Sequence, residues 1–291
     1  MVRTVLAAAL ALLAACASPT PASQSAPETV RDDPSLAAIE RRTGGRLGVA
    51  LMDSNGRILV QHRMGERFAM CSTFKLPLAG MMLDGVRSGR WSLADPLPIT
   101  RADIISHSPL SEPHVEGGSM TLEQATAAIV THSDNAAANL ILRRIGGPAA
   151  LTAWLRAQGD PATRLDRTEL ALNENVLGDP RDTTTPAAMA GTARRLLIGD
   201  SLEPAARDRL RQWAASSETG LRRVRAGLPA GWQAGDKTGS CGTAFNDVAW
   251  LRAPSGAEYV LAVYLDRPSV ASAAAEAAIA DAARVAAQRV R

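Results

Sequence analysis

The apolar and polar positions fall into three stretches of different texture. Near the start, "SLAAIERRTG" (35–44) has helical spacing and stops at a glycine. Two short apolar runs follow, "GRLGVALMD" (45–53) and "RILVQHR" (57–63), flanking "SNG", a hairpin signal. From Cys71 to about Ala215 the pattern becomes Ala/Leu-rich and helical: "TLEQATAAIVTHSDNAAANLILRRI", "GPAALTAWLRAQG", "TPAAMAGTARRLLIG" and "EPAARDRLRQWAAS", separated by Gly/Pro loops. Strand patterns then return in "GWQAGDKTGSC", "NDVAWLRA" and "EYVLAVYLD", the last two around a "PSG" turn, and "SVASAAAEAAIADAARVAAQRV" closes the chain as a helix.

Strands at both ends with helices between predict a sheet assembled from the two termini and an inserted helical domain. The cleft between two such lobes is a natural ligand site. One connection, "RLDRTELALNENVLGDPRDTTTP", is long for a compact domain, and loops of that length are more often functional than filler. No internal repeat is visible.

Composition narrows the classes. The chain has 291 residues, 46% apolar and 21% charged, with a net charge of +3 spread as single arginines and short pairs. Aromatics are only 3%, so stacking on nucleic acid has little to work with and a nucleic-acid partner is not expected. The first residues, "MVRTVLAAALALLAACAS", carry Arg3 and an apolar run too short to span a bilayer, which fits an export signal. "ACA" before Ser18 would suit ordinary signal peptidase. "LAAC" resembles a bacterial lipobox with Cys16 as the lipidated residue, and is favoured because the cysteine falls where that motif places it. The expected layout is a signal peptide over 1–16, a Pro/Ser/Ala-rich tether over 17–34, an α/β domain from 35–65 and 216–291, and a helical domain over 66–215. Setting Cys16 aside leaves Cys71 and Cys241. Two cysteines in an exported chain suggest one disulfide, the alternative being two buried thiols.

Of 32 basic residues only two are lysines, Lys75 and Lys237. Arginine is in effect always charged, whereas burial or a neighbouring cation can strip a lysine of its proton and make it a base. Ser72 precedes Lys75 by three residues at the start of an apolar helical stretch, so both fall on one face at its positive end. S-x-x-K alone is a weak signal. "SDN" (Ser133 to Asn135) opens another helical run, and each of its residues also makes a good N-cap. "KTGSCG" (237–242) lies on a candidate strand, where a basic side chain, a hydroxyl and a glycine suit capture of a substrate carboxylate.

In the order S-x-x-K, S-D-N, K-T-G, these motifs resemble the penicillin-recognising serine enzymes and, more narrowly, the class A serine β-lactamases. The resemblance covers essentially the whole mature chain. It implies an α/β (α+β) two-lobe fold with a five-stranded antiparallel sheet, terminal helices and an inserted helical domain. Within "RTELALN" it implies that Glu169 is the base for hydrolytic water and Asn173 its co-ligand, on an Ω loop spanning 164–182 whose neck is held by the ion pair Arg167–Asp182. It implies Ser72 as nucleophile, Lys75 as acylation base or Glu169 through water, Ser133 as proton relay, and the backbone N–H groups of Ser72 and Ser240 as oxyanion hole. Asn135 would hold Lys75 and the substrate amide. Lys237, Thr238, Gly239 and Ser240 would receive the substrate carboxylate, helped by Arg223, although Arg222 and Arg225 stand close by.

The four histidines lack a metal-binding run, and the resemblance implies neither metal nor other cofactor. Cys71 and Cys241 sit where class A carbapenemases carry their disulfide. This extends the expected substrates from penicillins and cephalosporins towards carbapenems, although a disulfide alone does not dictate spectrum. Two departures are His107 at a cleft-rim position usually aromatic, and a shortened connection in "CGTAFNDVAW". A D-Ala-D-Ala peptidase of the penicillin-binding type and a non-hydrolytic β-lactam sensor are the rival readings. A periplasmic monomer of a Gram-negative bacterium, with membrane attachment only through an N-terminal lipid, completes the expectation.

Overall fold

The computed structural model describes residues 1, 2, 4 and 31–290. Cys16 and most of the expected signal and tether lie outside the described residues. In chain order the elements are α1 (Pro34–Thr43), β1 (Arg46–Asp53), β2 (Ile58–His62), β3 (Phe68–Ala69), α2 (Lys75–Arg87), β4 (Pro96–Pro98), β5 (Ser119–Thr121), α3 (Leu122–Thr131), α4 (Asn135–Ile145), α5 (Pro148–Ala157), β6 (Thr183–Thr184), α6 (Pro186–Leu197), α7 (Pro204–Ala215), α8 (Val224–Gly227), β7 (Gln233–Cys241), β8 (Ala244–Arg252), β9 (Glu258–Asp266) and α9 (Ser272–Gln288).

The sheet has the order β2-β1-β9-β8-β7 and is antiparallel throughout. Residues from the two ends of the chain therefore pair directly, with Val49 opposite Val263. Both faces are covered, which is why the strands read as nearly continuous apolar runs. Leu47, Val49 and Leu51 pack with Leu36 of α1 and Ala275, Ile279 and Ala283 of α9. Ala50 and Met52, of opposite parity, join Met189, Ala190 and the helical core on the other face. Gly48 permits this closeness, because a Cβ there would lie 2.5 Å from the Phe68 ring.

Local signals set the helix boundaries. Asp33 caps α1 by accepting from Ser35 N (2.8 Å), Pro34 occupies its first turn, and Gly44 ends it in the left-handed region. Thr121 and Gln124 form a capping box on α3, and Asp134 caps α4 through Ala137 N (2.9 Å). The caps place Ser133 in a break between two helices that the apolar pattern alone would run together, and Asn135 at the start of the second.

Candidate active site

Ser72 lies in a 3-10 turn, Cys71–Phe74, that leads into α2, so Lys75 rather than Ser72 is the first α-helical residue. The change of helix type leaves the expected proximity intact: Lys75 Nζ donates to Ser72 Oγ at 3.1 Å. Cys71, immediately before the serine, holds a positive φ of 46°, and Ser133 and His107 hold 60° and 62°. Such backbone is costly for residues with a Cβ and collects where surrounding structure fixes it.

Lys75 is wholly buried and reaches several oxygens at once. Its Nζ donates to Ser133 O at 2.8 Å, to Ser133 Oγ at 3.4 Å and to Asn135 Oδ1 at 2.5 Å. It also forms an ion pair with Glu169 Oε1 at 2.9 Å. Burial pushes the Lys75 amine below the ordinary lysine value, against the opposing pull of Glu169 and Asp134. Glu169 Oε2 accepts from Asn173 Nδ2 at 2.7 Å. Asn173 Oδ1 is a buried acceptor with no hydrogen-bond partner among the described residues, and Glu169 Oε1 faces the Lys75 ammonium.

The loop bearing Glu169 is built around a buried carboxylate. Asp182 accepts from the backbone N–H groups of Asp166 (2.7 Å) and Arg167 (3.0 Å), and from Arg167 Nε at 2.6 Å. Arg167 also pairs with Glu174 at 2.7 Å. On the α4 side, Asn139 clasps Glu169 at both peptide groups, giving Nδ2 to Glu169 O (2.8 Å) and taking Glu169 N with Oδ1 (3.0 Å).

Strand β7 forms the opposite wall. Gly239 is required there, since a Cβ would lie 2.5 Å from Met70 O and 3.1 Å from Thr73 N, at the turn that carries the serine. Lys237 is fully buried, donates to Thr238 O (2.7 Å), and is lowered to about 7 by burial and then by repulsion from Lys75. Thr238 shares a hydroxyl contact of 2.6 Å with Thr219.

Only one of the three arginines reaches Ser240, although Arg222 and Arg223 share Glu276. Arg223 is buried and donates to Ser240 Oγ (2.6 Å), Asn246 O (2.7 Å) and Gly239 O (3.2 Å). Arg222 is 80% exposed and pairs with Glu276, while Arg225 turns away to Asp236 and Ala214 O. Behind β7, burial raises the carboxyls of Asp236 and, further, Asp247.

A cleft of about 300 Å³ is lined by Ser72, His107, Ser133, Asn135, Asn173, Thr219, Arg223, Thr238 and Ser240. Lys75, Glu169 and Lys237 lie at its floor through the contacts above. His107 at the rim is fixed by Nε2 against His132 O at 2.8 Å. Cys71 and Cys241 form a disulfide with Cα atoms 5.6 Å apart, and β7 turns into β8 through Gly242 and Thr243 alone. Among the described residues no group of three or more His, Cys, Asp or Glu side chains is arranged to hold a metal ion, and no helix is long and apolar enough to cross a membrane.

Thr219, Asn139 and Asn246 take part in the site although the sequence reading passed over them. Asn139 had a signal, standing one turn after Asn135 in "SDNAAAN" and so on the same helix face. The other two had none, because their neighbours come from strand register and from a loop crossing.

Residues 33–290 match the sequence profile of the Beta-lactamase enzyme family. The chain is 42% identical to β-lactamase CTX-M-8 of Citrobacter amalonaticus over 86% of each protein. It is 41% identical to β-lactamase L2 of Stenotrophomonas maltophilia, over 96% of this chain and 92% of that one. Among solved structures it resembles an ancestral class A β-lactamase reconstructed for Gram-negative bacteria, with a TM-score of 0.85 and 49% identity over 88% of this chain and 98% of that chain. A β-lactamase from Xanthomonas campestris pv. campestris matches at TM-score 0.85 and 46% identity, over 89% and 97%.

Proposed function

The chain belongs to the β-lactamase enzyme family and is a class A β-lactam hydrolase, and on that premise we propose that it opens the lactam amide through an acyl-enzyme on Ser72. The observation that carries this reading is Glu169 at the cleft floor, paired with Lys75 while Lys75 in turn reaches Ser72 Oγ.

Ser72 Oγ attacks the lactam carbonyl as its proton passes to Lys75, or to Glu169 through water. Burial, which disfavours the ammonium form of Lys75, supports the first route. The backbone N–H groups of Ser72 and Ser240 receive the developing oxyanion, and the closeness of β7 to the serine turn at Gly239 supports that pairing. Ser133, within reach of Lys75, returns the proton to the lactam nitrogen as the C–N bond breaks. Lys237, Thr238, Ser240 and Arg223 hold the substrate carboxylate, and Asn135 holds the side-chain amide. Glu169 then takes a proton from water as its oxygen attacks the ester carbonyl; the acyl C–Oγ bond breaks, and Ser72 Oγ regains the proton by way of Lys75, which touches both groups. Asn173 Oδ1, a buried acceptor without a partner among the described residues, and the Glu169 carboxylate beside it suit a water that donates to both.

Penicillins and cephalosporins are the expected substrates, with carbapenems included on account of the Cys71–Cys241 bridge beside the nucleophile. A bridge of this kind also fits an oxidising compartment. It therefore supports export to the periplasm; the "LAAC" stretch separately supports Cys16 as the point of lipid attachment.

Nitrocefin turnover with Glu169→Ala tests the scheme. The wild type turns over continuously, whereas the variant accumulates an adduct visible by intact mass and mapped to the Ser72 peptide. Continuous wild-type-like turnover in the variant removes Glu169 from deacylation. A single stoichiometric burst from the wild type identifies a sensor instead, and release of D-Ala from a D-Ala-D-Ala peptide identifies a peptidase.

A further inference from the structure

Asn246 lies in β8, is 1% exposed, and belongs to none of the motifs that define the site. Its side-chain amide donates to Ala69 O at 2.9 Å and to Met70 O at 3.1 Å, and Nδ2 stands 3.7 Å from Cys71 Sγ. These atoms form the turn that delivers Ser72. Asn246 and Gly239 are direct partners across the β7–β8 ladder. At that one register position, a glycine lets Met70 O approach the sheet and an asparagine grips the same carbonyl. The main-chain carbonyl of Asn246 accepts from Arg223 Nη1 at 2.7 Å, so one residue touches both the nucleophile's turn and the arginine beside Ser240.

Met70 O also accepts from Thr73 N (3.2 Å) and Thr73 Oγ1 (2.9 Å) inside the turn, so Asn246 adds a third donor from outside it. Cys71 has φ +46°, and the carbonyls of Ala69 and Met70 face a sheet that is buried on both sides. Three separate elements hold it. The disulfide ties Cys71 to the end of β7, Met70 N donates to Asp182 O at 2.9 Å at the loop neck, and Asn246 grips the carbonyl side from β8.

We propose that Asn246 is a positioning residue for the nucleophile: its amide grips the Ala69 and Met70 carbonyls and fixes the height of Ser72 against the β7 edge, so that the Ser72 and Ser240 N–H groups converge on one oxygen. This rests on the acyl-enzyme reading given above. Asn246 touches no substrate and acts through the turn. Its removal therefore slows chemistry more than it weakens binding.

The test compares wild type, Asn246→Asp and Asn246→Ala by single-turnover acylation with nitrocefin, by affinity for hydrolysed penicillin as a non-reacting carboxylate ligand, and by thermal melting. Aspartate keeps the shape but presents an oxygen where an amide donated. Both variants are expected to melt cooperatively and to acylate about 10²-fold more slowly, the scale of a small misplacement of reacting groups. Ligand affinity is expected to change by less than about 3-fold, the pattern of an interaction realised in the transition state. Wild-type acylation rates in the folded variants overturn the proposal, as does a loss confined to affinity. Failure of both variants to fold assigns Asn246 to folding alone and also overturns it. If the wild type itself is never acylated on Ser72, the parent reading fails instead, and intact mass distinguishes the two cases.

Discussion

Lys75 Nζ and Glu169 Oε1 stand 2.9 Å apart, and neither side chain is exposed to solvent. A buried pair of this kind survives because each charge offsets the desolvation of the other, and removing one partner strands the second. Lys75 Nζ also reaches Ser72 Oγ at 3.1 Å, so the pair adjoins the serine hydroxyl.

The pH response of substrate capture follows from Lys237. Its amine is held at about 7 in the free enzyme, and only the protonated form attracts a substrate carboxylate. As pH rises from about 6 to about 9, kcat/KM for an anionic β-lactam is expected to fall through a limb near 7, because that ratio reports the free enzyme. In Lys237→Arg the limb disappears, since guanidinium stays charged. On stability the sign is the reverse. The unfolded chain retains the lysine proton up to its ordinary value and the folded chain releases it from about 7, so this group's contribution to stability rises with pH between those values. pH–rate profiles and urea melts read the two effects separately.

Arg223 and Arg222 are adjacent, yet only the first reaches Ser240. Arg223→Ala is expected to raise KM for carboxylate-bearing substrates by about 10- to 100-fold, the scale of a lost hydrogen bond to a charged group. Arg222→Ala, whose side chain is largely exposed, is expected to stay within about 2-fold. Steady-state kinetics on the two variants checks the assignment.

The disulfide closes a loop between positions 71 and 241, a sequence separation of 170. Replacing both cysteines by serine is expected to remove roughly 2–5 kcal/mol of stability, read as a lower urea midpoint. Imipenem turnover is expected to fall more than nitrocefin turnover in this variant, because the bridge adjoins Ser72 at one end and Ser240 at the other. Equal losses on both substrates would detach the bridge from carbapenem hydrolysis.

Asp182 supports the loop that carries Glu169. Asp182→Ala leaves two backbone N–H groups and Arg167 without their shared acceptor, at an expected cost of about 3–5 kcal/mol. Hydrogen exchange of amides 166–174 should speed up. Deacylation should slow more than acylation, since Glu169 is on the loop and Ser72 is not.

Much of the site was legible because its parts are local. S-x-x-K needs only one helical turn to bring Ser72 and Lys75 together, and the structure places them 3.1 Å apart even though the turn is 3-10 in type. Asp182 and Arg167 were recognisable as a loop neck by their setting in a familiar motif. The scarcity of lysine was informative for a physical reason: both lysines are fully buried and both have depressed pKa values, and an amine can then give up its proton where a guanidinium stays charged.

By itself the sequence determined the sheet built from both termini, the inserted helices and the chemical groups of the cleft. These depend on residue type and on spacing within one element. Only the tertiary structure decided which arginine faces Ser240, why position 239 has no room for a side chain, and that Asn246 holds the turn before Ser72. Those facts depend on which segments pack together and at what register: Arg223 reaches Ser240 across 17 positions, and Gly239 and Asn246 meet the turn before Ser72 across about 170, contacts that no local pattern encodes.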